Sequence, residues 1–369
     1  MSGLMFLLLT IIMVSLFLIL MFTPYITRKT ESFGVSIPEL VYHDDRLKKM
    51  RQSYVFQTGI LSGIALLIFL MLGLKYGGDE QFIGIVYGGI IVAYIIGSFL
   101  IYLVFHRQMT HIKRMASWKN EKTEHVVIDT TFHNQRNTYS NGWFLISVIM
   151  IGATLFITFL QYDRIPSQIP INYDFSGKVT RWADKSIKSV SLMPVMQLFM
   201  LALFVFINTA IGRAKQQISV ENPKESAKQS RIFRRRWSLF LIISGTLLVI
   251  LFGTIQLSFI YLIDDTMLMY ASMGITGLTV VGSIILAFTT GQGGSRVKVA
   301  KGNNEDKIDR DDDRYWKLGQ FYVNRRDPAV FLEKRFGVGW TANFAHPLTW
   351  LLIGGILAIS IGLPLFLTL

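Results

Sequence analysis

Apolar residues along this chain gather into eight long blocks, at 4–26, 55–74, 83–105, 142–160, 192–211, 238–262, 268–290 and 349–369. A soluble core would space them at a period of 2 or 3.6 among polar positions. Blocks of about 19–25 residues instead match the ~30 Å of bilayer hydrocarbon, crossed at ~1.5 Å per residue. Every charged residue lies outside the blocks. The pattern therefore predicts an all-α polytopic membrane protein with eight transmembrane helices. The first block has no basic lead and no small-residue cleavage site, so it reads as a retained span rather than a removed signal.

The polar connections divide into two sets by charge. Loops 27–54, 106–141, 212–237 and 291–348 hold 31 of the 37 Lys and Arg, whereas 75–82, 161–191 and 263–267 hold 6. Basic loops stay in the cytoplasm, which predicts a plasma-membrane protein with both termini extracytoplasmic. The formal charge of +13 is thus a topology signal, with no nucleic-acid partner implied. The same division outlines the segments: 1–141, three helices with basic loops; 142–211, a helix pair enclosing an outer loop; 212–290, a basic loop and helix pair; 291–348, a cytoplasmic subdomain; 349–369, the final helix. Composition agrees, with 51% hydrophobic and 17% charged residues.

Several chemistries lack their residues. Without cysteine there is no disulfide framework and no thiol-ligated metal. Ion-coupled transport and intramembrane proteolysis need ionisable groups at depth, where this chain has only Gln197, Asn208, Gln256 and scattered Ser and Thr. Buried amides of this kind usually join helices. His106 and His111 lack metal-ligand spacing, and Arg234-Arg235-Arg236-Trp237 reads as a headgroup-contacting belt. Gly59/Gly63, Gly84/Gly88 and Gly354/Ala358/Gly362 have the spacing that lets helices approach closely. Gly291-Gln292-Gly293-Gly294 lacks the Lys-Ser/Thr of a phosphate loop and reads as a flexible exit from the seventh span. No metal or cofactor is expected.

Recognition, if any, belongs to what protrudes. In loop 161–191, Ile169, Ile171, Tyr173 and Phe175 alternate with polar positions, and Ser176-Gly177 signals a turn, predicting a hairpin-like cap. The cap reads either as a packed lid or as an aromatic and cationic surface of Tyr173, Phe175, Arg181 and Trp182 that meets an external partner. This run resembles the Ile-Pro-x-His-aromatic-Asn-x-x-Gly…Lys signature of an uncharacterised bacterial membrane family. Its best-known relatives are immunity proteins against the sporulation-delaying peptide toxin. Pro170, Tyr173, Asp174, Gly177 and Lys185 fall on or near the signature. Asn172 replaces its His, and Asp174 its Asn. The resemblance implies protection from a membrane-active peptide, sometimes with sequestration of a repressor at the membrane.

Loop 291–348 is the largest polar segment. Asp309, Asp311 and Asp313 imitate the start of a calcium loop, but Arg314 and Gln320 occupy its glycine and bidentate-acid positions. Asp327 as N-cap and Pro328 in the first turn predict a short helix over 329–336. Trp316, Phe321, Tyr322 and Trp340 are too aromatic for a free linker. Asp312, Asp313, Trp316, Gly319, Phe321, Tyr322, Asn324, Asp327, Pro328, Gly337, Gly339 and Asn343 resemble the pattern of a second uncharacterised domain that accompanies such proteins. Together these features predict a non-enzymatic immunity or envelope-sensing protein. Its outer loop would meet a peptide toxin or lipid, and its inner subdomain a cytoplasmic regulator. The alternatives are a transporter or channel for a lipid or hydrophobic molecule, with a cavity lined by Gln197, Asn208 and Gln256, and a lipid-modifying enzyme using Asp311–Asp313.

Overall fold

Helices account for most of the chain. The computed structural model describes residues 3–116, 137–173, 179–217, 223–261, 263–299 and 313–368. Its helices are α1 (Gly3–Ile26), α2 (Asp45–Tyr76), α3 (Glu80–Met115), α4 (Leu145–Leu160), the single turn α5 (Ile187–Val190), α6 (Leu192–Arg213), α7 (Pro223–Ser258), α8 (Asp265–Thr290) and α9 (Pro347–Thr368). Seven of these segments are long and apolar enough to cross a membrane, and Pro347–Gly362 is a shorter apolar helix. Large side chains such as Leu67, Met71, Ile85 and Leu100 stay exposed along them, as a hydrocarbon solvent requires.

Helices α1, α2 and α3 form one group, sealed by Met13, Phe17, Phe69 and Tyr94. Helices α4, α6 and α7 form a second, around Phe144, Ile151, Leu201 and Val249. Helix α8 contacts both α1 and α7 and joins the groups. Among the stripe glycines described, a Cβ would meet a neighbour only at Gly59, where Met21 lies at an ordinary 3.4 Å, and the close contacts lie elsewhere. A methyl group at Gly63, Gly88, Gly354 or Gly362 would meet nothing, whereas one at Gly97 would reach Leu61 and one at Gly245 would reach Phe204. Four-residue spacing places small residues on one face without saying which face meets a neighbour.

Three helices outrun their apolar blocks. Helices α2, α3 and α7 hold 32, 36 and 36 residues, or roughly 48–54 Å at 1.5 Å per residue. The surplus carries many of the Lys and Arg of the basic loops, and three of the four two-stranded antiparallel sheets among the described residues gather around it and the adjacent helix ends. Three belong to this basic end: β1 (Glu31–Ser32) with β2 (Val35–Ser36), β5 (Trp316–Lys317) with β6 (Phe321–Tyr322), and β7 (Phe331–Glu333) with β8 (Trp340–Ala342). The fourth, β3 (Gln168–Tyr173) with β4 (Val179–Asp184), is the predicted hairpin and lies at the opposite end.

Two expectations at the basic end fail. The helix predicted over 329–336 is strand β7 and its turn. Asp327 does cap, accepting from the Ala329 amide at 3.0 Å, but Gly337 and Gly339 hold φ of 93° and 115° and reverse the chain into β8. The glycine segment after α8 is a packed corner rather than a flexible exit. Gln292 is fully buried; its amide donates to the Lys334 and Gly339 carbonyls at 2.9 and 2.8 Å and accepts from the Gly339 amide at 2.7 Å.

Two turn tips meet over α3. Phe33 and Gly34 both have positive φ, 46° and 76°, as a two-residue hairpin turn of this hand demands. Phe33 tolerates that conformation because it is buried against Tyr54, Phe105 and Phe336. The Tyr102 hydroxyl donates to the Leu318 carbonyl at 2.9 Å, and His106 Nδ1 donates to the Phe33 carbonyl at 2.8 Å. A Cβ at Gly34 would lie 2.5 Å from the Gly319 carbonyl oxygen. Gly34→Ala should therefore cost about 1–3 kcal/mol through forced backbone strain, read as a lowered Tm of the full chain in detergent. Gly354→Ala, on an open helix face, should leave the Tm unchanged or slightly higher.

Candidate functional site

The hairpin is anchored on one face and open on the other. Ile165 and Ile169 are buried with Val190 and Phe259, which seats the hairpin on α5 and the end of α7. Lys185 donates from Nζ to the Ile165 carbonyl at 3.0 Å and lies 4.5 Å from the Tyr162 ring. Pro170 pairs with Trp182, Asn172 with Arg181 and Tyr173 with Val179, with bulges between the last pairs. Tyr173 is half-buried and its hydroxyl has no hydrogen-bond partner among the described residues; burial first, and Asp265 second, raise its pKa. Arg181 and Trp182 are exposed, Trp182 at 53%. The predicted aromatic–cationic surface thus divides: Arg181 and Trp182 face outward, and Tyr173 turns inward. Asp174, Phe175 and Gly177 lie outside the described residues.

Beneath the hairpin runs a polar seam that single residues did not reveal. Ser147, Ile151, Thr154 and Thr158 form the buried face of α4, at helical spacing. Ser147 meets Thr246 at 3.2 Å. Gln197 donates to the Val249 carbonyl at 2.8 Å, and Gln256 donates to Thr158 at 3.3 Å and to the Val190 carbonyl at 3.0 Å. Gly253 leaves room between Gln197 and Thr154. These amides join helix to helix. Asn208, the third deep amide, is elsewhere: it lines a groove at the basic end that includes neither Gln197 nor Gln256.

That basic end is held by buried charge. Glu333, on β7, is fully buried between Arg28, which follows α1, and Arg234, on α7. Arg234 reaches Glu333 through Nη2 at 2.9 Å, and its Nη1 donates to the carbonyls of Ile211 and Ala214 at 3.0 and 2.9 Å. Ser230 also donates to Glu333, at 3.2 Å. Burial pulls the Arg28 guanidinium down to about 10, against an opposing pull from Glu31, so it stays charged at neutral pH. The expected lipid-facing belt therefore splits. Arg235 and Arg236 are exposed, whereas Arg234 turns inward, because a helix sends consecutive residues to different faces.

A second cluster adjoins the first. Arg335 pairs with Glu31 at 3.6 Å and with Asp313, and Lys113 of α3 pairs with Asp313 at 2.6 Å. Trp316 lies under Arg335 at 5.0 Å and beside Tyr322 at 5.2 Å. The remaining residues of the inner pattern are stitched together. Tyr322 donates to Asp327 at 2.7 Å, Asn324 donates to Tyr322 at 3.0 Å, and Lys215 pairs with Asp327. Asn343 donates to the Asn324 and Asp327 carbonyls at 2.8 and 3.1 Å. Gly319 has φ 68° against Tyr102 and His106, and Phe321 packs edge-on to Phe344. Pro328 precedes β7, and the Gly337 amide donates to Thr27 at 3.2 Å. Asp309, Asp311 and Asp312 lie outside the described residues. No group of three or more His, Cys, Asp or Glu that could hold a metal occurs among the described residues.

Burial opposes ionisation of Asp313, yet Arg335 and Lys113 hold its carboxyl below the ordinary 3.8. Asp327 is likewise lowered, by Lys215, the Ala329 amide and Tyr322 acting against burial. A carboxyl more acidic in the folded state contributes its full stabilisation above its unfolded pKa and loses it as pH falls through the folded one. The Tm of the full chain should hold down to about pH 4 through these groups and fall below it. Asp313→Asn should lower the neutral-pH Tm and flatten the acid limb. An acid limb unchanged by that substitution would show that Asp313 does not carry it.

Two stretches of the chain match models of uncharacterised families. Residues 149–198, running from α4 through the hairpin into α6, match one described as a domain of unknown function, DUF1648. Residues 325–350, which include Glu333, Arg335 and Asn343, match one described as a family of unknown function, DUF5808. No curated protein and no solved structure matches the chain.

Proposed function

We propose that this is a non-enzymatic, multi-pass plasma-membrane protein of the immunity or envelope-sensing type. In this reading the hairpin meets a membrane-active peptide or a lipid outside the cell, and the basic end engages a cytoplasmic regulator. The observation that carries it is the single helix α7. Near one end its Gln256 holds α5 beside the hairpin, and toward the other its Arg234 holds Glu333 of the basic subdomain. A load on Arg181 and Trp182 would thus bear on an element that reaches the other side. The charge division of the loops supports placing the basic end inside. Helix α9 supports an eighth crossing, because it starts beside Asn343 and contacts α5 at the hairpin end. With eight crossings both termini are extracytoplasmic.

Expression in a toxin-sensitive bacterial strain should reduce killing by one or more membrane-active peptides. Arg181→Ala with Trp182→Ala should abolish that protection at unchanged protein level. Killing that is unaltered across a panel of such peptides, including the sporulation-delaying toxin, would contradict the immunity reading.

A further inference from the structure

At the basic end, the start of the α4 segment and the end of α6 enclose a groove of about 330 Å³, lined by Thr138–Asn141, Asn208, Thr209, Gly212 and Arg213. That volume falls at the small end of ligand sites, roughly 300–1,000 Å³. Its position along the membrane normal follows from the chain. Helix α6 carries no charge from Leu192 to Gly212, and Arg213 ends it. Beside the groove, Trp143 and Leu145 are 55% and 60% exposed, the placement of an interfacial aromatic next to acyl chains. The groove therefore opens where lipid phosphates lie.

Two features of its lining specify a ligand. The first is uncompensated positive charge. Arg213 is exposed and has no carboxylate partner among the described residues, and the Arg235 guanidinium lies 4.8 Å from the ring of Tyr139, a lining residue. The second is an orphan acceptor. Asn208 is 1% exposed; its amide nitrogen donates to Asn141 at 2.7 Å and to the Tyr139 carbonyl at 3.1 Å, while its Oδ1 has no hydrogen-bond partner among the described residues. A buried unpaired acceptor costs roughly 1–3 kcal/mol and is relieved only by a donor. An inorganic anion answers the arginines but brings the acceptor little. An ethanolamine headgroup brings a donor, but as a cation set against two guanidinium groups, and a choline headgroup brings a cation and no donor. A phosphate ester bearing free hydroxyls answers both.

We propose that this groove is a binding site for an anionic phospholipid with a hydroxyl-bearing headgroup, the phosphoglycerol class. The phosphate sits at Arg213 and Arg235, and a headgroup hydroxyl donates to Asn208 Oδ1. The site is independent of any toxin or sensing role and requires only that the helices lie in a bilayer.

Native mass spectrometry of the full chain in neutral detergent tests it, with phosphatidylglycerol, phosphatidylmethanol, phosphatidylcholine and inorganic phosphate as probes. The wild type should bind phosphatidylglycerol more tightly than phosphatidylmethanol, which has the same charge and no hydroxyl, and phosphatidylcholine weakest. Arg213→Gln should weaken both anionic lipids about fivefold, from ~1 kcal/mol per cation at a headgroup, whereas Lys317→Gln at the same end should not. Asn208→Leu should erase the preference between the two anionic lipids; the comparison on the wild type stands even if that variant does not fold. Equal binding of the two anionic lipids by the wild type would overturn the proposal. So would equal losses in Arg213→Gln and Lys317→Gln, or displacement of the lipid by inorganic phosphate at comparable concentration.

Discussion

A carboxylate with no access to water is set between two guanidinium groups, and the architecture of the basic end follows from it. Glu333 lies on a short strand late in the chain, Arg28 just after the first helix, and Arg234 near the middle. None of the three could be buried alone, because desolvating an isolated charge costs several kcal/mol. Their burial therefore requires the three segments to arrive together. The carbonyls of Ile211 and Ala214 accept from Arg234 Nη1, which brings the end of α6 into the same contact. Such pairs seldom add much net stability over an apolar substitute, but breaking one is expensive. Here they set position.

That constraint gives the small strands a place to be. Hairpins of two or three residues per strand have no independent stability. Strand β7 is set by Glu333, the following turn is set by Gln292, and β1–β2 is set by Arg335 through Glu31. The turn tips at Phe33-Gly34 and Leu318-Gly319 then close over Tyr102 and His106 of α3. Every helix that outruns its apolar block contributes to this layer: α2 through Tyr54, α3 through Lys113, α7 through Arg234. At the opposite end the connection is softer. There the hairpin is seated by Ile165 and Ile169 against Val190 and Phe259, and neutral amides and hydroxyls join α4, α5, α6 and α7 beneath it, so the packing is uncharged on one side and ion-locked on the other.

The apolar blocks and the strand–turn–strand pattern at 168–184 were legible because each is local: continuous apolarity reads as a span, alternation around Ser176-Gly177 as a hairpin. What was not legible depends on partners distant in sequence. Glu333 and Arg335 look like solvated charges on a short helix until Gly337 and Gly339 are read as a turn between strands, a signal present in Phe331–Trp340 but outweighed by the cap at Asp327. Nothing local separates Arg234 from Arg235, since only the helix face that meets Glu333 decides which one is buried. Gly291–Gly294 looks flexible by composition, yet the positive φ at Gly291, Gly293 and Gly294 is what a tight buried corner requires. Residues of the inner pattern such as Tyr322, Asn324, Asp327 and Asn343 were found as a set, but that they bond chiefly to one another emerges only in three dimensions.

Hydrogen exchange of the full chain in a bilayer nanodisc, comparing wild type with Glu333→Gln, bears most directly on the central role of that carboxylate. If Glu333 positions the basic end, protection should fall together in residues 31–36, 211–217 and 331–342, while α4 and the hairpin at 168–184 keep theirs. Loss confined to 331–342, with 31–36 and 211–217 as protected as before, would contradict the account.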